Sequence, residues 1–173
     1  STQVLWQYLH SMGLKGKKLL ELGAGSGYIS LSAAKAGAVV TATDINTTAV
    51  AYLAKNSQSN KLPITILQSD LFDNIPVQLF DVVAINPPYY KGSPTTEASY
   101  AWYCGEQGEY FIRLFEGIKN YIGKNSVVVM VLNDECDINF ITHTAMKAGF
   151  SFHKVQEKRR LWEMEYIYLA VLQ

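Results

Sequence analysis

Phe80-Asp81-Val82-Val83-Ala84-Ile85 runs directly into Asn86-Pro87-Pro88-Tyr89. The first six residues read as a strand. The prolines must end it, because each lacks a backbone N–H and fixes φ, so neither can extend a sheet ladder. Asn86 and Tyr89 are therefore expected at the carboxyl edge of that strand. An Asn side chain carries an acceptor oxygen and donor hydrogens. The carbonyl of Pro87 adds a second acceptor with no donor of its own. Together they could hold a planar –NH2 by both hydrogens, while the Tyr89 ring covers the flat face of the group that carries it. The same residues would also suit a strand-ending turn with a capping Asn.

Working outward, strand-like and helix-like stretches alternate. Upstream, Val4, Leu5, Tyr8, Leu9 and Met12 make one helical face over 3–13. Strands are expected over 17–22, 38–43 and 64–67, with helices over 28–36 and 47–59, the latter capped by Thr47 or Thr48. Downstream come a helix over 108–121, an apolar strand over 127–132 and a helix over 138–148. Two closing strands, over 150–156 and 164–172, read as a hairpin. Central strands that are apolar throughout call for a parallel sheet covered on both faces. The 89–105 stretch is long for an unstructured connection, and such loops usually carry function or are disordered. Tyr90, Tyr100, Trp102 and Tyr103 argue against simple disorder.

The chain has 173 residues, 49% of them apolar and 17% charged, which suits one domain with a sizeable core. Fifteen basic side chains balance fifteen acidic ones, so no global field draws the protein to nucleic acid or anionic lipid. Lys154 with Lys158-Arg159-Arg160 is the one local basic run, and a solvated turn explains it. No apolar stretch is long enough to span a bilayer. Nothing at the start resembles a signal sequence, although the chain opens at Ser1 without Met and residues upstream are an open question. Cys104 and Cys136 lack metal-ligand spacing, so no metal site is expected. Two isolated thiols fit a reducing compartment, and the expected location is the cytoplasm.

Glu21-Leu22-Gly23-Ala24-Gly25-Ser26-Gly27 follows the first strand as G-x-G-x-G, with Tyr28 where a dinucleotide fingerprint would have its third glycine. Glycines there let a ligand approach the backbone closely. Asp44 ends the second strand, where a carboxylate can accept from both ribose hydroxyls. Asp70 follows the third, placed to accept from an adenine amino group, with Ile45 and the Leu71 backbone closing on the ring. Each aspartate alone would equally serve as a helix cap. Jointly with the loop they line one nucleoside crevice.

These residues resemble a known family. The segment 21–27 looks like the cofactor loop of class I S-adenosylmethionine-dependent methyltransferases. Asn86-Pro87-Pro88-Tyr89 looks like the motif of those that methylate planar nitrogens. Within that group the chain is most similar to the HemK (PrmC) protein-glutamine N5-methyltransferases, with Ser69-Asp70-Leu71-Phe72 and Gly105-Glu106-Gln107-Gly108 matching in order and position. The segment 159–165 is a looser likeness to that family's terminal hairpin. The resemblance implies a Rossmann-like α/β fold: a seven-stranded, mostly parallel sheet with a C-terminal antiparallel hairpin and helices on both faces, forming a single catalytic domain over 1–173. It implies S-adenosyl-L-methionine as cofactor, held by Glu21, Gly23, Gly25, Gly27, Asp44, Ile45, Asp70, Leu71 and Asn86. Asn86, Pro87 and Tyr89 would be catalytic, and Pro88, Tyr89, Tyr90 and Trp102 would meet the substrate. A protein glutamine, as in a translation release factor, is the implied acceptor. Some minimal members work with a small activating subunit along a sheet edge, for which 64–67 is the candidate. Three features depart from the family: only one short helix precedes the core, Cys104 replaces a usual glycine, and the aromatic loop is unlike that of its members.

The same residues admit other readings. Adenine displays the same kind of –NH2 as glutamine, so an N6-adenine methyltransferase of RNA or DNA is the first alternative. A nucleoside-binding module or idle partner subunit is the non-enzyme alternative. A nicotinamide oxidoreductase comes last, for want of the third glycine.

Overall fold

The computed structural model describes residues 1–160 and 163–173. In chain order the elements are α1 (Thr2–Ser11), β1 (Lys18–Leu22), α2 (Tyr28–Lys35), β2 (Val39–Asp44), α3 (Thr47–Ser59), β3 (Ile64–Gln68) and β4 (Phe80–Ile85), then α4 (Glu109–Gly117), β5 (Ile122–Asn133), α5 (Ile138–Lys147), β6 (Phe150–Arg160) and β7 (Glu163–Leu172). The seven strands form one sheet in the order β3-β2-β1-β4-β5-β7-β6. The first five of these pair in parallel, and β7 and β6 are antiparallel. This is the expected sheet with its terminal hairpin. Leu161 and Trp162, in the segment likened above to a family hairpin, lie outside the described residues.

Covering both faces requires two apolar layers. On one, Val4, Leu5 and Leu9 of α1 and Ile29 and Ala33 of α2 pack on Leu19, Val82, Val129 and Ile167. On the other, Phe111, Leu114 and Phe115 of α4 and Ile141 and Ala145 of α5 pack on Leu20, Val83, Val128 and Ala170. Adjacent strand residues thus enter opposite layers, as the pleat demands. β4 is buried on both sides, apart from exposed Asp81, whose carboxylate accepts the Lys18 N–H at 2.8 Å.

Several boundaries differ from the sequence reading. β6 runs on to Arg160, so Lys158 and Arg159 pair with Glu165 and Met164 in the hairpin where a basic turn was expected. β5 begins at Ile122, earlier than expected, because Ser126 does ladder work with its side chain: its hydroxyl accepts the Gly123 N–H at 2.8 Å and donates to the Phe80 carbonyl at 2.6 Å. α4 stops at Gly117 and continues only as a 3-10 turn over Ile118–Tyr121. Asn46, rather than Thr47 or Thr48, caps α3, its Oδ1 accepting from the Thr48 and Ala49 amides at 2.8 and 3.3 Å. Asn outranks Thr as a cap because its carbonyl reaches those amides readily.

Among the described residues, no helix is long and apolar enough to cross a membrane. The 89–105 loop is ordered by backbone bridges between Tyr90 and Tyr103 and between Gly92 and Gly105. A 3-10 turn at Glu97–Ala101 is capped reciprocally by Thr96 and Ser99.

Phe115 is fully buried, 5.6 Å from the Phe150 ring and 5.9 Å from Phe152, joining α4 to the hairpin. Phe115→Ala should lower unfolding free energy by about 3–5 kcal/mol, read by urea titration. A loss under about 1 kcal/mol would show that this cluster does not tie the hairpin to the sheet.

Candidate functional site

The strand order reverses between β1 and β4. On one side of β1 the chain steps outward to β2 and β3; on the other lie β4 and β5. Open α/β sheets bind ligands at such a point, outside the carboxyl ends of the strands. Leu22 pairs with Ile85 in register. The glycine loop that follows Leu22 and the Asn86 corner that follows Ile85 are therefore neighbours.

The loop turns back over β2. Ala24 N–H donates to the Thr43 carbonyl at 2.8 Å, and Gly25 N–H to Asp44 Oδ2 at 2.7 Å. Gly25 has φ +50°, and a Cβ there would meet nothing within 4 Å. The same open space lies above Gly23. Gly27 differs: with φ +79° it caps the start of α2, and a Cβ there would collide with Leu53 Cδ1. Gly23 and Gly25 thus leave a cradle, and Gly27 lets α2 sit close to α3.

Asp44 accepts from Gly25 and, through Oδ1, from the Asn46 N–H at 2.9 Å. Each carboxylate oxygen keeps a lone pair for a further donor, and the side chain is half-buried beside half-buried Ile45. Asp70 carries a contact that the sequence did not reveal: Arg113 of α4 donates to its Oδ2 at 2.9 Å. Both side chains are well exposed, so the pair contributes little to stability; it fixes the carboxylate's direction. Leu71 is buried at φ +47°, a conformation an ordinary side chain adopts only under constraint. The constraint is Ser69, whose hydroxyl donates to the Leu71 carbonyl at 2.9 Å and accepts the Asn74 N–H at 3.0 Å. Tyr110, also missed, is half-buried in the first turn of α4. Burial raises its phenol pKa, the charges of Asp70 and Asp44 push it further in that direction, and Arg113 opposes the rise.

Glu21 sits lower than its grouping with the glycines suggested. It is buried, and its Oε2 accepts both the Ser30 N–H, at 2.9 Å, and the Ser30 hydroxyl. The carboxyl is thereby committed to the first turn of α2.

At the acceptor side, Pro87 and Pro88 are buried and Asn86 is exposed. Asn86 Nδ2 donates to Thr2 Oγ1 at 3.5 Å. Among the described residues no donor reaches Asn86 Oδ1 or the Pro87 carbonyl. Tyr89 is half-buried with its ring 4.8 Å from that of Tyr90, and burial raises its phenol pKa. Tyr90 and Trp102 face each other across the loop, the Tyr90 N–H donating to the Trp102 carbonyl at 2.9 Å. The loop is moored to the β5–α5 turn: Tyr90 donates to Glu135 at 2.7 Å and Lys91 pairs with Asp137 at 3.0 Å. At the end of β5, Asn133 Nδ2 donates to Glu163, a contact that no short-range signal marked. Among the described residues, no group of His, Cys, Asp or Glu could hold a metal ion.

Comparison with known proteins identifies the family and the fold. A sequence model described as Methyltransferase small domain matches residues 1–162. A Methanocaldococcus jannaschii protein, provisionally named protein N5-glutamine methyltransferase, is 37% identical over 124 residues, which cover 66% of this chain and 61% of that one. A release factor glutamine methyltransferase of Rhodopirellula baltica is 44% identical over 88 residues, 45% of this chain and 30% of its own. The chain therefore spans less than two thirds of either relative. Among solved structures, the E. cuniculi Mtq2–Trm112 complex, described as responsible for methylating the eRF1 termination factor, has a TM-score of 0.78. It covers 99% of this chain and 94% of its own at 21% identity, a likeness of fold.

Glu21 gives the site a pH signature. Burial raises its pKa from 4.5 to about 8; Ser30 opposes the rise and the Asp44 charge adds to it. The folded protein thus holds a proton that the unfolded chain releases, so stability is greatest below the ordinary carboxylate value and falls as pH rises toward about 8. Glu21→Gln should flatten that dependence, measured as melting temperature against pH. An unchanged slope would assign the dependence to other groups.

Proposed function

The chain belongs to the methyltransferase small domain family, and from that membership we propose that it is an S-adenosylmethionine-dependent N-methyltransferase acting on a planar –NH2, a protein glutamine amide before others. The observation that carries this reading is the pairing of Leu22 with Ile85, which sets an open glycine cradle beside two acceptors that no described residue uses.

The residues present fit the cofactor. Open space above Gly23 and Gly25 admits it against the backbone. Asp44 has lone pairs for ribose hydroxyls. Asp70, steadied by Arg113, faces the adenine end with Ile45, Leu71 and Tyr110 around it. When bound, S-adenosylmethionine supplies an electrophilic methyl group on a positively charged sulfur.

The protein's own task is to align a nitrogen. An amide nitrogen is a poor nucleophile because its lone pair is delocalised. Asn86 Oδ1 and the Pro87 carbonyl would each accept one of its hydrogens, holding the group flat and favouring positive charge on nitrogen as the new bond forms. Alignment of this kind is worth on the order of 7–11 kcal/mol in favourable cases. Tyr89 would pack on the amide plane and Pro88 would shape the corner. No general base is required: once methylated, the nitrogen is acidic enough to release its extra proton to water. The nearby carboxylates are already engaged, Asp134 with Tyr166, Glu135 with Tyr90 and Asp137 with Lys91.

A protein acceptor is favoured by the balanced charge of the chain and by the names of its relatives. A release factor is the acceptor we propose, with Tyr90 and Trp102 receiving the peptide around the glutamine. A small activating subunit along β3 belongs to the same proposal. β3 is one of the two edges of the sheet, its backbone unpaired on one side among the described residues, and the E. cuniculi neighbour is a complex.

Asp44→Ala should weaken cofactor binding tenfold or more by calorimetry, roughly the low-end value of a single charge-assisted hydrogen bond; unchanged affinity would remove Asp44 from the site. Asn86→Ala should abolish transfer of labelled methyl while sparing cofactor affinity. Equal loss of both would deny it the acceptor role. With cell extract as acceptor, the label should survive nuclease and vanish with protease; the opposite pattern would establish a nucleic-acid substrate.

A further inference from the structure

Ser69, just past the end of β3, is 4% exposed and hydrogen-bonded on three sides. Its N–H donates to the Asp44 carbonyl at 3.0 Å. Its hydroxyl donates to the Leu71 carbonyl at 2.9 Å and accepts the Asn74 N–H at 3.0 Å. The hydroxyl has no freedom of direction here, because a backbone carbonyl only accepts and a backbone N–H only donates. One buried residue thus ties the strand end that carries Asp44 to the turn that carries Asp70 and Leu71.

The groups this turn leaves unused are consecutive in the chain. Leu71 is buried at φ +47°, with its carbonyl turned onto Ser69. Among the described residues its N–H makes no hydrogen bond, which is uncommon for a buried backbone donor. Arg113 takes Asp70 Oδ2, and among the described residues Oδ1 has no donor. Asp70 and Leu71 therefore keep one acceptor and one donor side by side. Adenine carries the complement, a 6-amino donor next to the N1 acceptor. Hypoxanthine carries the reverse, a carbonyl next to an N–H. The left-handed backbone of Leu71 costs about as much as one hydrogen bond is worth, so the two bonds of the Ser69 hydroxyl are sufficient to decide it.

We propose that Ser69 is a positioning residue for base selection: by holding the Leu71 carbonyl inward, its hydroxyl presents the Leu71 N–H and the Asp70 carboxylate together to the N1 and 6-amino positions of adenine. This rests on the cofactor proposed above. It goes beyond that reading by placing the choice of base in a buried residue that acts only through its neighbours.

Ser69→Ala removes the hydroxyl, Ser69→Thr keeps it, and Ser69→Cys, a weak donor of similar size, serves as a second deletion should Ala disturb folding. Calorimetry compares S-adenosylhomocysteine with S-inosylhomocysteine, which has a carbonyl in place of the 6-amino group. The wild type should bind the adenosyl compound at least tenfold more tightly. Ala and Cys should lose about five- to tenfold in affinity for the adenosyl compound, the worth of one hydrogen bond, and less than about twofold for the inosyl compound; Thr should restore the preference. A purely structural role for Ser69 would weaken both compounds alike. That result, an undiminished preference in Ala and Cys, or a Thr variant as indifferent as Ala would overturn the proposal. A wild type that binds both compounds equally would overturn it and leave the cofactor in place, whereas a wild type that binds neither would remove the cofactor and this proposal with it.

Discussion

The parallel pairing of β1 with β4 is the constraint on which the site depends. It joins two segments separated by more than sixty residues and sets Leu22 opposite Ile85. Because side chains alternate across a strand, a slip of one residue would send every core residue of β4 to the wrong layer. Val83 and Val82 enter opposite cores, so both layers enforce the same register. The glycine cradle and the Asn86 corner are consequently held by the core of the domain rather than by contacts of their own. Two prolines then end β4 at that level and keep the Pro87 carbonyl out of any ladder.

Around this axis the site is built from groups that are directed but not used up. Asp44 anchors the glycine loop and retains lone pairs. Asp70 takes Arg113 on one oxygen. Leu71 holds an unusual backbone angle while the Ser69 hydroxyl donates to its carbonyl and accepts the Asn74 N–H. Such strain, on the order of 1–3 kcal/mol, persists where the surroundings over-determine it. The aromatic loop follows the same logic: backbone bridges order it, and Glu135 and Asp137 fasten it beside the corner while leaving Trp102 exposed.

The legibility of the fold in the sequence followed the range of the interactions. Strands β1, β2 and β4 could be read because burial on both faces makes them largely apolar and because Gly23, Asp44 and Pro87 mark their ends. The start of β5 could not, since Gly123-Lys124-Asn125-Ser126 looks like a turn and becomes strand only when Ser126 meets the Phe80 carbonyl. The cap of α3 went to Asn46 rather than a neighbouring threonine through a local competition among good caps. In the site, Asn86, Asp44 and the glycines stood out because they punctuate strand ends. Arg113 and Tyr110 gave no local sign, because they come from α4, distant in the chain from Asp44 and Asp70. Glu21 had the right position for the loop, yet the structure turns its carboxyl to Ser30 beneath it.

The central claim is that a proline-locked corner grips both hydrogens of a flat amino group beside a bound sulfonium. A crystal structure with S-adenosylhomocysteine and a glutamine-containing peptide tests it most directly. The account places the glutamine nitrogen about 2.7–3.2 Å from both Asn86 Oδ1 and the Pro87 carbonyl, in line with the cofactor sulfur and under the Tyr89 ring. A glutamine bound with its amide turned from Asn86, or a cofactor seated away from Gly25 and Asp44, would contradict it.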